Sequence, residues 1–453
     1  MLTRLTRLNF KYLLELVMWR SGSKRAVQMS ATAPESSEQS LQAPTPPTAI
    51  PLGQIIMKLP GLFPRSFTRS YEDYRVFCED SEKLQTQLLH TLPVFSNTHT
   101  QLGEKEARVL KVPVDSEGNY INEVCISPRN PAPRLKHVVF VHGYGAGLGF
   151  FLKNLEHLPL PNNEWCIHAI DMPGFGYSSR PRFPFQYPQS SQEDVHAWFH
   201  TRLRAWFEKR GLLKQPQDNM VVAHSLGAYV MALYANKYPT DFRKLVMCSP
   251  AGVCHSGNID KGKLNPKIQR HANMSPPWWY VKLWDRNISP FSIVRSAGPL
   301  GSKITSGWSY RRFKQLLLKR PGDSSNAKRV AQFEALHRYS YGIFNRPGSG
   351  EYLLAFALSC GGNPRNALEE TIFSEPGNAD SFRAHCDWLW MYGENDWMNK
   401  SGGKRISDSL NKTFGSGKSR LDIVPNAGHH LYFDNYEFFN RRIVEEMELL
   451  GRE

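Results

Sequence analysis

The sequence is poor in cysteine, and no two of its cysteines form a C-x-x-C pair. Its seven cysteines are odd in number and scattered along 453 residues. This arrangement argues against a disulfide framework and against a zinc site, and it favours a reducing compartment. From these absences we expect no metal and no cofactor.

The sequence also lacks long apolar runs and, in two regions, acidic residues. No uninterrupted apolar run approaches the ~20 residues of a membrane-spanning helix. Residues 1–30 contain six Lys and Arg but only one acid, Glu15, and residues 251–350 contain 17 Lys and Arg against four Asp and Glu. With a net charge of +15, this favours an anionic partner such as acidic lipid, phosphate or nucleic acid. A merely solvated basic face is the simpler alternative.

The first 35 residues have the pattern of a mitochondrial transit peptide. Arg4, Arg7 and Lys11 recur at helical spacing beside a face of apolar residues, and acids are nearly absent. A secretory signal is disfavoured because basic residues punctuate the segment, and a surface amphipathic helix is the alternative. Residues 36–60, rich in Pro, Ser and Thr, predict a linker.

A glycine-rich turn follows a predicted buried strand. The apolar run Val138–Val141 precedes H-G-Y-G at residues 142–145. The backbone amides of Gly143 and Tyr144 are therefore candidates to bind an oxyanion. A phosphate is the alternative ligand, but the segment has neither the G-x-G-x-x-G order nor a Walker lysine.

The stretch VVAHSLGAYV, residues 221–230, predicts a nucleophile turn. A predicted strand at 219–223 leads to Ser225, and a predicted helix at 227–237 leads away. This order is the one required by the G-x-S-x-G elbow, in which small residues flank a strained serine. Ala223 replaces the first glycine and adds one methyl group, which we interpret as a tolerated variant. The amide of Leu226 would complete the oxyanion site.

A serine nucleophile needs a base and an acid, which in this architecture follow it along the chain. Asp396, after a predicted strand at 387–392, is the expected acid, and Glu394 is the less favoured substitute. His429, after a predicted strand at 421–424, is the expected base, and His430 is its alternative.

Residues 255–380 interrupt the strand–helix alternation and predict an inserted basic lid between core segments 61–254 and 381–453. Aromatic and basic side chains together suit a bilayer interface. Core packing of the aromatics is the alternative, and nucleic-acid binding is weaker because no recognition motif accompanies them. The expected lipid contacts are Trp278, Trp279, Lys282, Trp284, Arg286, Arg311 and Arg312.

Together these motifs resemble the α/β-hydrolase family. Within it, the sequence is similar to the branch of fungal mitochondrial cardiolipin-specific deacylases, fungal lysophosphatidate acyltransferases, and the animal lipase coactivator of lipid droplets with its phospholipase relatives. The resemblance covers roughly residues 60–450 and implies a mostly parallel sheet with helices on both faces and a helical lid. It rests on HGYGAG at 142–147, HSLG at 224–227, PFSIVRSAGPLG at 290–301, GENDW at 393–397 and HHLYFD at 429–434.

The last motif contains the family's H-x-x-x-x-D signature, His429 to Asp434, which the resemblance links to acyl transfer. We expect Asp434 instead to fix the loop of His429 or the start of the last helix, since His429 already serves as the base.

The resemblance implies a serine acyl hydrolase that removes an acyl chain from cardiolipin, held peripherally on the mitochondrial inner membrane by this anionic phospholipid. Nucleic acid is not expected as a partner, and protein partners are left open. One alternative is an acyltransferase that uses acyl-CoA and a lysophospholipid. Another is a non-catalytic lipid-bound regulator, disfavoured because this sequence retains Ser225.

Overall fold

A computed structural model describes residues 61–95, 105–255, 278–286, 288–318, 325–360, 362–374 and 381–452. The expected transit peptide (1–35) and linker (36–60) lie outside the described residues. Across the described ranges, no helix combines the length and apolarity needed to cross a membrane.

An eight-stranded sheet forms the centre of the molecule, in the spatial order β1-β2-β4-β3-β5-β6-β7-β8. β2 pairs antiparallel with β1 and with β4, and every other pairing is parallel. The predicted mostly parallel sheet is therefore confirmed. The strands are β1 Lys105–Pro113, β2 Tyr120–Pro128, β3 Lys136–Val141, β4 Trp165–Ile170, β5 Asn219–His224, β6 Lys244–Cys248, β7 Asp387–Gly393 and β8 Ser419–Val424.

Helices cover both faces of the sheet, because both faces of the parallel strands are apolar. On β3, Val138 and Phe140 join one hydrophobic cluster, whereas Val139 and Val141 join the other. The helices are α1 Phe67–Glu79, α2 Glu82–Leu89, α3 Leu152–His157, α4 Gln192–Lys209, α5 Leu226–Lys237, α6 Trp278–Asp285, α7 Phe291–Ser296, α8 Gly301–Phe313, α9 Asn326–Asn345, α10 Leu353–Ala357, α11 Phe382–His385, α12 Lys400–Phe414, α13 Leu431–Asp434 and α14 Tyr436–Arg452.

The sequence has a helical pattern from Phe67 to about residue 90, and the structure divides this stretch into α1 and α2. The break follows α1 at Asp80, which has extended backbone angles and whose carboxylate accepts a hydrogen bond from the Glu82 amide at 2.9 Å. Both helices pack against the inserted segment: α1 contacts α8, and α2 contacts α9. The buried Arg65, just before α1, forms ion pairs with Asp73 of α1 at 2.6 Å and with Glu334 of α9 at 2.7 Å, which joins α1 to the inserted segment.

Candidate active site

The nucleophile turn, residues 224–226, lies where β5 ends and α5 begins. Ser225 has φ 52° and ψ −116°, a conformation that non-glycine residues adopt only under constraint. Two backbone hydrogen bonds supply that constraint: the Ser225 amide donates to Cys248 O at 2.9 Å, and the Ala251 amide donates to Ser225 O at 3.1 Å. These two bonds, to the end of β6 and to the loop after it, hold the serine at the carboxyl edge of the sheet, where ligands of parallel sheets bind.

Small residues around Ser225 are required by close backbone approach. A Cβ on Gly227 would lie 2.3 Å from the carbonyl oxygen of His142, and a Cβ on Gly143 would lie 2.8 Å from the Ser225 Cβ. Ala223, by contrast, is fully buried within the hydrophobic cluster on the α5 side of the sheet. Its methyl group therefore packs as a core atom, which explains how alanine occupies a position usually held by glycine.

Ser225, His429 and Asp396 form a hydrogen-bonded chain. The Ser225 hydroxyl lies 3.1 Å from His429 Nε2, and His429 Nδ1 lies 3.2 Å from Asp396 Oδ1. Because a carboxylate only accepts, His429 carries its proton on Nδ1 and offers Nε2 to the serine. The Asp396 side chain is 2% exposed, and its Oδ1 also accepts the Met398 amide at 3.1 Å.

The alternative base, His430, and the alternative acid, Glu394, contact other residues. The His430 ring faces Tyr432, whose hydroxyl is 3.2 Å from His430 Nδ1, and burial lowers the pKa of His430 well below its ordinary value. Glu394 is exposed and accepts the Asn426 amide at 2.8 Å. Neither side chain is hydrogen-bonded to Ser225 or His429 in the described structure.

The residues predicted for an oxyanion hole lie around the Ser225 turn. Leu226 is the first residue of α5, and amides in the first turn of a helix have no acceptor within the helix. Gly143 touches Ser225, while the Tyr144 ring stacks on Phe291 of α7 with centroids 5.4 Å apart. The positive end of the α5 dipole therefore lies next to Ser225, where it would favour a negative charge on the substrate's carbonyl oxygen.

His142 holds this oxyanion turn, residues 142–147, against the end of β4. Its ring accepts the Met172 amide on Nε2 at 3.1 Å, so its Nδ1–H donates to Gly143 O at 2.8 Å. Burial lowers the pKa of His142, which keeps the ring neutral and able to do both. Sequence reasoning quoted this histidine within the turn motif but gave it no role.

His224 is a second histidine that sequence reasoning missed. Its Nε2 lies 2.9 Å from the carbonyl oxygen of His429 and therefore donates to it. Burial, followed by the charge of His429, lowers the pKa of His224 well below its ordinary value. The residue just before the nucleophile thus positions the backbone of the base. Its place in H-S-L-G was the only available signal.

Asp434 holds the histidine loop, residues 425–430. One carboxylate oxygen accepts the Gly428 amide at 2.9 Å, and the other accepts Arg312 Nη1 at 2.8 Å. The contacts match the expectation that Asp434 fixes the loop. The prediction that Arg312 contacts lipid at the surface is wrong, because its side chain is 6% exposed and its Nη1 pairs with Asp434 in the interior.

The other expected lipid contacts are divided between surface and interior. Lys282 and Arg286 are exposed. Trp284 is half-buried and donates its indole N–H to Leu358 O at 3.1 Å, which agrees with the packing alternative. Arg311 is also half-buried, and burial lowers its pKa. The side chains of Trp278 and Trp279 lie outside the described part of the protein.

Comparison with known proteins agrees with this geometry. Residues 136–436 match the alpha/beta hydrolase fold family, and the chain belongs to it. The chain is 29% identical over 336 residues to a 1-acylglycerol-3-phosphate O-acyltransferase of Arabidopsis thaliana, covering 73% of this chain and 70% of the relative. It is 26% identical over 336 residues to the (Lyso)-N-acylphosphatidylethanolamine lipase of Homo sapiens, covering 73% and 83%.

Among solved structures, a carboxylesterase from Bacillus subtilis aligns with a TM-score of 0.45 and 14% identity, over 82% of this chain and 97% of that chain. The family match and the two relatives, rather than this structural likeness, identify the protein as an α/β hydrolase that has lipid acyltransferases and lipases among its relatives.

Proposed function

We propose that this protein is a serine acyl hydrolase that cleaves a carboxylic ester of a membrane glycerophospholipid. The observation that carries the proposal is the hydrogen-bonded chain from Ser225 through His429 to Asp396. A free serine hydroxyl is a weak nucleophile at neutral pH, and this constellation is the arrangement that activates it.

In the first half of the reaction, Ser225 Oγ attacks the ester carbonyl while its proton passes to His429 Nε2. The amides of Leu226 and Tyr144 would stabilise the negative charge on the carbonyl oxygen. As the tetrahedral intermediate collapses, the bond to the lysolipid oxygen breaks and His429 returns the proton to that oxygen. Asp396 keeps the imidazole in the correct tautomer throughout.

In the second half, a water molecule gives a proton to His429 and attacks the acyl-Ser225 ester. Collapse of this second intermediate releases the fatty acid and restores the serine hydroxyl. The described chain supplies every proton acceptor and donor that these steps require.

A phospholipid substrate is supported by the activities for which the two relatives are named, both of which concern acyl chains on phosphate-bearing lipids. The basic composition of residues 251–350 suits an anionic headgroup. Cardiolipin, with two phosphates, and a location on the mitochondrial inner membrane are the narrower proposal. They rest on the transit-peptide pattern of residues 1–35 and on the resemblance to mitochondrial deacylases.

An acyltransferase is the second candidate, favoured by the similarity to the Arabidopsis enzyme over 73% of the chain. The same acyl-Ser225 ester would form from acyl-CoA with release of the CoA thiol. A lysolipid hydroxyl would then replace water as the acceptor. Exclusion of water from the acyl-enzyme is the property that separates the two outcomes.

The test is mass spectrometry of lipids after incubation with the purified full-length protein. Vesicles of cardiolipin, phosphatidylcholine or phosphatidylethanolamine are supplied with and without acyl-CoA, beside a Ser225→Ala control. The hydrolase predicts free fatty acid and monolysocardiolipin without acyl-CoA, with cardiolipin as the preferred substrate.

Each of the other outcomes would exclude one part of the proposal. Product formed only from acyl-CoA plus a lysolipid would replace the hydrolase with the transferase. Equal hydrolysis of all three lipids would remove the cardiolipin assignment and keep the hydrolase. No product in any mixture would favour a non-catalytic lipid-bound regulator.

A further inference from the structure

Five side chains with metal-binding atoms lie together on one face of the sheet, where β2, β4 and β3 run side by side. On β4, Cys166 and His168 are two residues apart and therefore share a face. His137 of β3 pairs directly with Cys166, and Cys125 of β2 pairs directly with His168. Glu123 lies two residues before Cys125 on the same face. The cluster belongs to three strands, so spacing along the chain could not reveal it.

We propose that His137, Cys166 and His168 form a Zn²⁺ site. Their ligand atoms lie within 4.8 Å of one another. His137 Nδ1 and His168 Nε2 are 3.0 Å apart, close to the ~3.3 Å that separates two nitrogens bonded to one tetrahedral zinc ion. A set of two imidazoles and one thiolate suits zinc, which is borderline between hard and soft.

The surroundings orient His168 as a ligand. Its Nδ1 lies 2.7 Å from Glu123 Oε1, and the other carboxylate oxygen accepts the Trp206 indole N–H at 2.9 Å. A carboxylate that accepts the far N–H of a histidine fixes the tautomer and directs the other nitrogen at the metal. With the His168 ring neutral, Nε2 would direct its lone pair toward His137 and Cys166.

A second overlapping group, Glu123, Cys125 and His168, is also compact. The position of Arg210 argues against a metal ion at this second group. The guanidinium lies 3.0 Å from Glu123 and 3.5 Å from the Cys125 sulfur, so a cation there would meet an existing positive charge. Glu123 is therefore assigned as the outer partner of His168, and Cys125 is not assigned as a ligand.

Cys166 and His168 are 5% and 1% exposed, whereas His137 is half-buried. On the half-buried side of His137, a water molecule would be the fourth ligand of the tetrahedral ion. On binding, Cys166 loses its thiol proton and His137 carries its proton on Nε2. The site would join β3 to β4. His137 lies four residues before the end of β3, or ~13 Å from the carboxyl edge that carries Ser225, so zinc has no part in the acyl chemistry.

The test uses the tag-free full-length protein, stripped with chelator under reducing conditions and reloaded. We expect one equivalent of zinc by mass spectrometry of metals. We also expect Co²⁺ to produce the sulfur-to-cobalt charge-transfer band of a bound thiolate. Both readouts use the unmodified chain and do not depend on how any variant folds.

Variants then test the ligand assignment. Cys166→Ser should abolish the charge-transfer band, whereas the matched control Cys125→Ser should retain it. Glu123→Gln should weaken zinc binding by about 10- to 100-fold, the usual effect of removing such an outer partner. Circular dichroism of each variant reports its fold.

Three results would overturn the proposal. The first is a wild-type protein that takes up no zinc above the level of Cys166→Ser. The second is a cobalt complex without a thiolate band. The third is loss of the band in Cys125→Ser but not in Cys166→Ser, which would move the site to the second group.

Discussion

The nucleophile turn and the histidine loop bring their residues together by different physical means. Ser225 is held by backbone hydrogen bonds and by close approach of small residues, all within residues 141–251. The loop that carries His429 is held by the carboxylate of Asp434, six residues along the chain from Gly428, and that carboxylate pairs in turn with Arg312 of the distant inserted segment. The small residues that the steric constraint requires are visible in the sequence of the turn itself, whereas the ionic constraint includes Arg312, a partner that only the fold brings near. Disrupting each kind of constraint should therefore give a different result.

The largest expected effect comes from the reacting group itself. Ser225→Ala should lower kcat by about 10⁶-fold, as removal of a triad serine does elsewhere. Asp396→Asn should lower kcat by about 10⁴-fold by reversing the histidine tautomer. Kinetics of fatty-acid release measure both, and thermal unfolding should be nearly unchanged for Ser225→Ala. A Ser225→Ala protein with normal turnover would contradict the assignment of the nucleophile.

The next largest effect tests the ionic constraint on the histidine loop separately from the steric constraint on the nucleophile turn. Asp434→Asn leaves the buried Arg312 without its counter-charge, so the free energy of unfolding should fall by about 3–5 kcal/mol in urea titrations. Misplacement of the histidine loop should also lower kcat by about 10²-fold.

A double variant provides the control. Adding Arg312→Met to Asp434→Asn removes the unpaired charge and should restore much of the stability and part of the turnover. If Asp434 were instead a separate acyl-transfer device, Asp434→Asn would remove transfer while leaving stability intact, and Arg312→Met would restore nothing.

A smaller effect is expected from the steric constraint at the nucleophile turn. The added methyl of Gly227→Ala would lie 2.3 Å from the His142 carbonyl oxygen, too close to be accommodated without a backbone shift. We expect a loss of about 1–3 kcal/mol in unfolding free energy and of up to about 10²-fold in kcat.

Ala223→Gly is the matched control, because it restores the usual small residue on the other side of Ser225. It should cost about 1–2 kcal/mol, from backbone entropy and from the loss of one buried methyl group, and should keep turnover. If Ala223→Gly impaired kcat as strongly as Gly227→Ala, steric crowding would not be what positions the serine.

The smallest expected effect is a pH dependence of the unfolding free energy. It comes from His200, which contacts α5, the helix that follows Ser225. His200 of α4 donates its Nε2–H to Val230 O of α5 at 3.2 Å, and burial, then the charge of His196, lowers its pKa to about 3. An unfolded histidine titrates near 6.5. Below that pH the unfolded chain binds a proton that the folded chain does not, so stability is lost as the pH falls.

For His200 alone, the loss between pH 7 and pH 5 should be about 2 kcal/mol. Urea unfolding of the wild type and of His200→Gln at both pH values measures it, since the variant should lose about 2 kcal/mol less. Equal losses in the two proteins would mean that His200 is not held neutral by the fold.

Much of the fold could be predicted from sequence because its signals are local. The apolar run before His142 and the small residues around Ser225 each lie within a short segment, and the acid and the base each follow a short predicted strand, in the expected order along the chain. The strand–turn–helix at residues 219–237 agrees with the prediction nearly residue for residue. The roles of His142 and His224 were missed because each depends on a backbone atom of another strand or loop.

The sequence alone determined the α/β alternation, the strained serine turn and the chain order that selects Asp396 and His429. Periodicity, turn composition and residue order can each be read along the chain without its tertiary contacts. Only the tertiary structure decided which charges face water. Arg312 and Arg286 look alike in a basic segment, yet one is buried against Asp434 and the other is exposed. The His137–Cys166–His168 cluster likewise exists only because strand pairing brings residues 137 and 166 side by side. Burial and pairing are properties of the assembled sheet and helices, and they decide what each polar side chain does.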